Sequence, residues 1–309
     1  MKTRVLCLCL LVFFWNLENF YDWRNDNTSA SDAEFSSRGE RHWTRKRFYA
    51  KCNAIAKSIM WVASQEGGYP DVIGLAEVEN SFVLRRLIQS SPLQKLDYEV
   101  IHFDSPDKRG IDVAMLYRAS SLELLAAKPC HLYDSLPGTD STAIMPTRDI
   151  LLATFRQCSG DTLAVLVNHH PSKYGGPAQS EAKRRIAVER LRFLCDSLQR
   201  SGIDRIVAVG DFNDTPDNPL YSLLDGPMVN LSLPLYRQGR GSIRFGGKWE
   251  LIDLCFASSS LADMASADVL QIPFLMVPDR SGGVKPLRTY SGPRYLGGVS
   301  DHCPIILKL

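Results

Sequence analysis

The sequence predicts an α/β (α+β) protein built as a sandwich of mixed β-sheets with helices on the outside. Three observations predict it. Strand patterns outnumber helical ones along the chain. Neighbouring strand candidates are often joined by short turns, which antiparallel pairs permit and parallel crossovers do not. Only two or three long helical patterns interrupt the strands, too few for a doubly wound parallel sheet. The 309 residues suffice for one large domain or two ordinary ones. With no internal repeat, low-complexity tract or break in composition, a single domain spanning 1–309 is expected.

The elements follow in order. Lys2 and Arg4 precede the apolar run Val5 to Trp15, which has the charged start and apolar body of an export signal. No small-residue cleavage site follows, since the next residues are Asn16, Leu17 and Glu18, and the run is too short to span a membrane. A buried first strand is the favoured reading. With it goes a cytoplasmic location, export through the apolar N-terminus being the alternative. Residues 23–44 read as a polar loop. Phe48, Cys52, Ile55, Ile59 and Val62 then recur at steps of four and three, one face of a helix, and Gly67, Gly68 and Pro70 end it. DVIGLAEVEN is a short apolar strand finishing on carboxylates. Asn80 caps a short helix through Leu87 and Ile88. YEVIHF, IDVAMLYR and LELLAA are strands, residues 129–146 a loop, and ILLATF and TLAVLVN a further strand pair. Ala187, Leu191, Leu194 and Leu198 line one face of a helix over 180–200. RIVAVG is a buried strand running into Asp211. LIDLCFA is another strand, residues 275–299 form a Gly/Pro/Arg/Tyr-rich loop, and PIILKL closes the chain as a strand.

Composition narrows the chemistry. With 36 Lys and Arg against 34 Asp and Glu, the net charge is +2, so no global basic field draws in polyanions and any such affinity is local. The eight cysteines form no C-x-x-C pair and no Cys/His cluster with zinc spacing. They read as free, mostly buried thiols of a reducing compartment.

Polar residues arrive at five strand ends. Asn16, with Glu18 and Asn19, ends the first strand, where a plain turn accounts for them equally well. Glu77 ends VIGLAEVEN as a carboxylate suited to a hard cation, or as a charge near the following helix N-terminus. His169 opens HHPSKYGG, where an imidazole can donate to an oxyanion or exchange a proton near neutrality. Asp211 and Asn213 in VGDFNDTP are the most specific signal. Gly210 permits a tight backbone, the acid can orient a nucleophile and the amide can meet an oxyanion, while Asp214 and Pro216 belong to the next turn. Asp301 and His302 in GGVSDHCP place a ligand beside a general base. Asp253, an acid inside the apolar run ELIDLCF, needs a partner, and a histidine is the natural one.

Taken in order, FWNLENFYD, GLAEVEN, RGIDVAMLYR, PTRDIL, VNHHPSKYGG, VGDFND, WELID and GVSDHCP resemble the endonuclease/exonuclease/phosphatase (DNase I-like) superfamily, over about Phe13 to Leu309. GERHWT brings the chain near a bacterial branch in which a Trp often stands at the place of His170. The resemblance implies a four-layer sandwich, two packed mixed β-sheets flanked by helices. It implies hydrolysis of a phosphoester with Mg²⁺ or Mn²⁺, held by Asn16 and Glu77 with Asp301 near the same ion. Asp211 would orient or deprotonate water, and Asn213 would bond the phosphoryl group. His302, paired with Asp253, would act on the nucleophile side as a general base. His169, oriented by Asp112, would contact a phosphoryl oxygen, and Arg148 and Lys173 would neutralise the phosphate. The expected substrate is DNA or RNA, bound along Arg41, His42, Trp43, Tyr174, Arg288, Tyr290, Arg294 and Tyr295. The alternative is a small or lipid phosphoester such as an inositol phosphate. Nothing in the sequence calls for an obligate protein partner, and a monomer is expected.

Overall fold

A computed structural model describes residues 10–135, 141–173 and 176–309. Two six-stranded sheets dominate it. From edge to edge the first runs Ser266–Val269, Ile305–Lys308, Leu11–Phe20, Val72–Val78, Asp112–Arg118 and Tyr98–His102. The second runs Met228–Asn230, Asp253–Ser258, Arg205–Asp211, Thr162–His169, Ile150–Gln157 and Leu122–Cys130. Each sheet has one parallel pair at its centre and antiparallel neighbours outward. That shared pattern fixes the site, because the two parallel pairs deliver four C-terminal strand ends carrying Asn16, Glu77, His169 and Asp211.

Side-chain alternation then sets the layers. Val12 and Phe14 pack inward against Val165, Val167, Val207 and Val209 of the second sheet, whereas Phe13, Trp15 and Leu17 belong to a separate outer core. Helix Arg45–Glu66 covers that outer face with Phe48, Cys52, Ile55, Ile59 and Val62, all buried, and ends on Gly67 in the left-handed region at φ 74°. Helix Ser81–Gln89 lies beside it, its first turn capped by Asn80 Oδ1, which accepts from the N–H groups of Phe82 and Val83. Helix Pro177–Arg200 covers the second sheet through Ala187, Leu191, Leu194 and Leu198. The expected four layers are therefore present. Packing between the sheets is close: a Cβ on Gly74 would sit 2.9 Å from Val167 Cγ2. Among the described residues no helix is long and apolar enough to cross a membrane.

Several boundaries differ from the sequence reading. The first strand is described over Leu11–Phe20 and runs on past Trp15; the expected start at Val5 lies outside the described residues. The segments read as loops carry short ladders. Tyr133–Ser135 pairs with Thr142–Ile144, Met276–Pro278 with Val284–Pro286, and Tyr290–Ser291 with Arg294–Tyr295. A short helix, Ala30–Glu34, interrupts the polar stretch 23–44. Of the cysteines, Cys52, Cys130, Cys195, Cys255 and Cys303 are free and buried, and Cys158 is free and exposed.

Candidate active site

Period-two alternation points Asn16 from the first sheet inward, below Phe14, and Asp211 from the second sheet towards it. They meet: Asn16 Nδ2 donates to Asp211 Oδ2 at 3.0 Å. Asp211 is the hub. Its Oδ1 accepts the Asn213 N–H at 2.9 Å. Its Oδ2 lies 3.7 Å from His169 Nε2 and 4.0 Å from His302 Nε2. The ladder builds this arrangement, because Asp211 pairs in register with His169 on one side and Asp253 on the other. Gly210, one residue earlier, lets the strands close: a Cβ there would sit 2.3 Å from the Asn168 carbonyl oxygen.

The expected Asp253–His302 pair is present. His302 Nδ1 lies 2.7 Å from Asp253 Oδ2, which fixes the tautomer with Nε2 turned towards Asp211. The backbone of His302 is fixed as well. Its N–H donates to Ser300 Oγ, its carbonyl accepts from Trp15 Nε1, and Ser300 Oγ in turn donates to the Asn16 carbonyl. Both sheets thereby hold one histidine.

Electrostatics assign the protons differently from the sequence reading. Burial, with Asp253 adding to it, pushes Asp211 up to about 7. Burial alone would lower His302, but the charge and hydrogen bond of Asp253, with Asp211 and Asp301, outweigh it and hold the imidazole well above its usual value. At neutral pH His302 is therefore a cation and Asp211 the group poised to accept a proton. This charge assignment favours Asp211 over His302 as the proton acceptor. His169 stays neutral, because burial and the nearby cations Arg148, Arg109 and His302 lower it well below its usual value. Its Nδ1 is buried without a protein partner. The ligand atoms of Asp211, Asp253 and His302 lie within 4.8 Å of one another. However, His302 Nδ1 is committed to Asp253, so this trio suits proton transfer better than metal ligation.

Carboxylates collect on the first-sheet side. Glu77 sits at a bulge where the register shifts between Ala76 and Val78, with φ 60°. Its carboxylate accepts the Asn19 N–H at 2.7 Å and pairs with Arg109 Nη2 at 3.3 Å. Burial would raise Glu77, yet Arg109 and that N–H hold it below its usual value. Glu18 and Asn19 lie in a second bulge, at φ 47° and 57°, and Asn213 takes φ 54°. Four of the six non-glycine residues described with positive φ thus stand at this one edge, where such strain marks functional geometry. Asp301 is 40% exposed and bound by Arg288 Nη2 at 3.1 Å. Glu77, Asp301 and Asn16 offer only oxygen, the donor set of a hard divalent cation. Asn16 Oδ1 already accepts the Glu18 N–H and retains one lone pair. By donor type these residues would suit such an ion.

Other expectations fare unevenly. Asp112 does not orient His169. It lies 3.1 Å from His102 Nε2 and accepts from Ser105 N and Oγ at 2.8 and 2.5 Å, because the neighbouring antiparallel strand presents His102 to it. Arg148 is buried near the site, donating to Asp107 and to the His170 carbonyl, with Nε unpartnered. That same carbonyl takes Asn213 Nδ2 at 3.0 Å. Lys173 is half-exposed, 3.5 Å from Asp214. His170 is a packing residue, its ring 4.5 Å from Phe212, and burial pushes it down to about 3. Of the expected groove, Trp43 and Tyr290 are buried, Arg41 and Tyr295 are half-buried, and His42, Arg288 and Arg294 are exposed; Arg41 and Arg47 lie over Tyr290 and Tyr295, and the Tyr290 hydroxyl donates to the Arg41 carbonyl. Tyr174 falls outside the described residues. Sequence reasoning passed over Arg109 and Lys51, cations in segments read only as strand entry and helix.

A sequence profile of the Endonuclease/Exonuclease/phosphatase family matches residues 11–309. A search of the curated proteins returns no match. Among solved structures, the chain is similar to a mannosyl-6-phosphatase of Bacteroides thetaiotaomicron (16% identity, TM-score 0.60, 97% of this chain and 99% of that one). It is similar to D. rerio TDP2 complexed with single-strand DNA product (16%, 0.54, 97% and 98%) and to the human Nocturnin catalytic domain with bound sulfate (16%, 0.56, 97% and 93%).

Proposed function

Since the chain belongs to the endonuclease/exonuclease/phosphatase family of phosphoester hydrolases, we propose that it is a divalent-cation-dependent phosphodiesterase cleaving DNA or RNA by attack of water on phosphorus. The observation that carries the reading is Asp211, a buried acid ringed by Asn16, Asn213, His169 and His302 and held above its usual value by burial. A phosphodiester is anionic and repels hydroxide, so its hydrolysis needs a positioned base and neutralised charge more than covalent chemistry. Asp211 takes the proton of the attacking water, its pKa matched to neutral pH. The His302 cation, held by Asp253, stabilises charge developing on phosphorus and keeps water on the Asp211 side. His169 and Asn213 donate to the phosphoryl oxygens, and Arg148 and Lys173 add positive charge. Glu77, Asp301 and Asn16 would hold Mg²⁺ or Mn²⁺. When bound, the ion supplies Lewis-acid polarisation of a phosphoryl oxygen and charge for the leaving oxygen.

The deciding experiment incubates purified protein with Mg²⁺ or Mn²⁺ and plasmid DNA, single-stranded DNA, RNA, bis-p-nitrophenyl phosphate and sugar or inositol phosphates, beside Asp211→Ala. Cation-dependent cutting of a polymer that the variant lacks supports the proposal. Full activity in Asp211→Ala overturns the mechanism. A second reading, hydrolysis of a small phosphoester, has its own support: Trp43 and Tyr290 are buried in packing and not free to stack on bases. Turnover confined to the small substrates would select it.

A further inference from the structure

The bulge at Glu18–Asn19 leaves a problem that one residue solves. Between Asn16 and Phe20 the strand steps out of its ladder, and the Glu18 carbonyl turns away from the neighbouring strand into the protein. A buried carbonyl without a donor is destabilising, and so are left-handed non-glycine residues. The donor is Lys51. This lysine lies mid-helix in Arg45–Glu66 and is only 2% exposed. Its Nζ donates to the Glu18 carbonyl at 2.7 Å and to Thr289 Oγ1 at 2.9 Å. The ammonium sits within about cation–π range of Phe20 and Trp43, with Glu18, Glu77 and Asp301 as its nearby negative charges.

Both contacts lead to the site. From Glu18 the chain passes straight to Asn19, whose N–H donates to Glu77. From Thr289 the path runs to the Gly298 and Val299 carbonyls, just before Ser300, Asp301 and His302. Thr289 N also donates to the Glu18 carboxylate, which Arg288 grips as well. Lys51 thus touches the Glu18–Asn19 bulge directly and reaches the 298–302 loop through Thr289. A lysine needed only to fill the core would be poorly chosen, since burying an ammonium carries a large desolvation penalty.

We propose that Lys51 is a positioning residue for the cation site: a buried ammonium that sets the Glu18–Asn19 bulge against the 298–302 loop, so that Glu77 and Asp301 face one ion. The inference rests on the divalent-cation reading above. Its test measures binding and folding apart from turnover. Mn²⁺ is titrated into purified full-length protein, free Mn²⁺ being read by electron paramagnetic resonance, for the unsubstituted chain, Lys51→Met and Thr289→Val, with thermal melts in chelator alongside.

Lys51→Met keeps the length and apolar stem but loses the charge and the donor. The expected result is a folded protein whose Mn²⁺ dissociation constant rises about ten-fold or more, the range for loss of groups that orient metal ligands. Its kcat should stay depressed at saturating Mn²⁺. Thr289→Val, which keeps the ammonium and loses one acceptor, should show a smaller rise of the same sign, and it carries the test if Lys51→Met fails to fold. Unchanged Mn²⁺ affinity in the folded Lys51→Met protein, or in Thr289→Val if that variant alone folds, overturns the proposal and leaves Lys51 a packing residue. Failure of the unsubstituted chain to bind Mn²⁺ overturns the cation reading itself, and this inference with it.

Discussion

At the scale of the residue, the pair Asp211 and His302 decides the chemistry, and pH is the variable that separates their roles. Asp211 is held up at about 7, mainly by burial, so as a base it becomes competent as pH rises through neutrality. His302 is held well above its usual value against burial by Asp253, Asp211 and Asp301, so its proton persists beyond that point. The expected kcat/KM profile rises through about pH 7 and falls only on the alkaline side. Asp211→Asn abolishes the rise and lowers kcat/KM by roughly 10²–10⁴, the usual worth of a positioned acid–base group. Asp253→Asn removes the first cation-stabilising charge from His302. The alkaline fall then moves to lower pH, because burial is left to dominate. Steady-state kinetics from pH 5 to about 10 at fixed cation concentration checks both limbs. An Asp253→Asn profile with an unmoved alkaline limb contradicts the assignment of His302 as the cation.

At the scale of the element, strand register makes the site, and small residues guard the register. Gly210 faces the Asn168 carbonyl, where a Cβ would come to 2.3 Å. Gly210→Ala therefore has to part the parallel pair Arg205–Asp211 and Thr162–His169, at about 1–3 kcal/mol for overpacking. Chemical denaturation should show that loss, with activity falling further because Asp211 and His169 are the next register pair. Asn80→Ala tests a site-independent element. It loses the acceptor for two N–H groups and should cost about 1 kcal/mol with kcat unchanged. The long elements were legible in the sequence because each buries a periodic face, as Phe48 to Val62 and Ala187 to Leu198 do. What was not legible arose where the local pattern says nothing. Hairpins of two or three residues within 129–146 and 275–299 have no period to read. The left-handed turns at Glu18, Asn19 and Glu77 interrupt apolar strands without a glycine to announce them. Asp112 meets His102 and not His169 because the neighbouring antiparallel strand chooses its partner, and pairing across strands is a tertiary fact. Lys51 reads as an ordinary solvated helix lysine until the bulge beneath it is seen.

At the scale of the whole molecule, the site leaves a mark on stability. Folding buries several acids whose folded pKa lies above the ordinary carboxylate range of about 4. Burial, with Asp301 adding to it, pushes Glu18 up to about 7. Burial also takes Asp211 to about 7, and takes Glu79 to about 8 with Asp22 and Asp32 adding. Between pH 4 and 8 the native chain thus binds protons at these positions that the unfolded chain has released. The stability they contribute is fully present below the unfolded pKa and is lost as pH rises through 7 to 8. His169 and His170, lowered by burial, oppose this below about pH 6.5, and Lys51, which burial lowers to about 8, opposes it only above that pH. In chelator, the free energy of unfolding should therefore fall most clearly from about pH 6.5 to pH 8, read from urea midpoints. Glu79→Gln isolates one acid away from the proposed ligands. It keeps an acceptor for the Asp22 N–H and should stabilise the protein at pH 8 while leaving pH 5 nearly unchanged. Saturating Mg²⁺ or Mn²⁺ adds stability in proportion to RT ln(1 + [ion]/Kd), about 2.7 kcal/mol at a hundred times Kd. That gain should rise towards the alkaline end as Glu18 and Asp211, which lie beside the proposed ligands Asp301 and Asn16, become ionised, so the ion flattens the slope. A slope that rises over this range, or one that the ion leaves unaltered, would mean that the buried carboxylates are neutralised by protein cations alone.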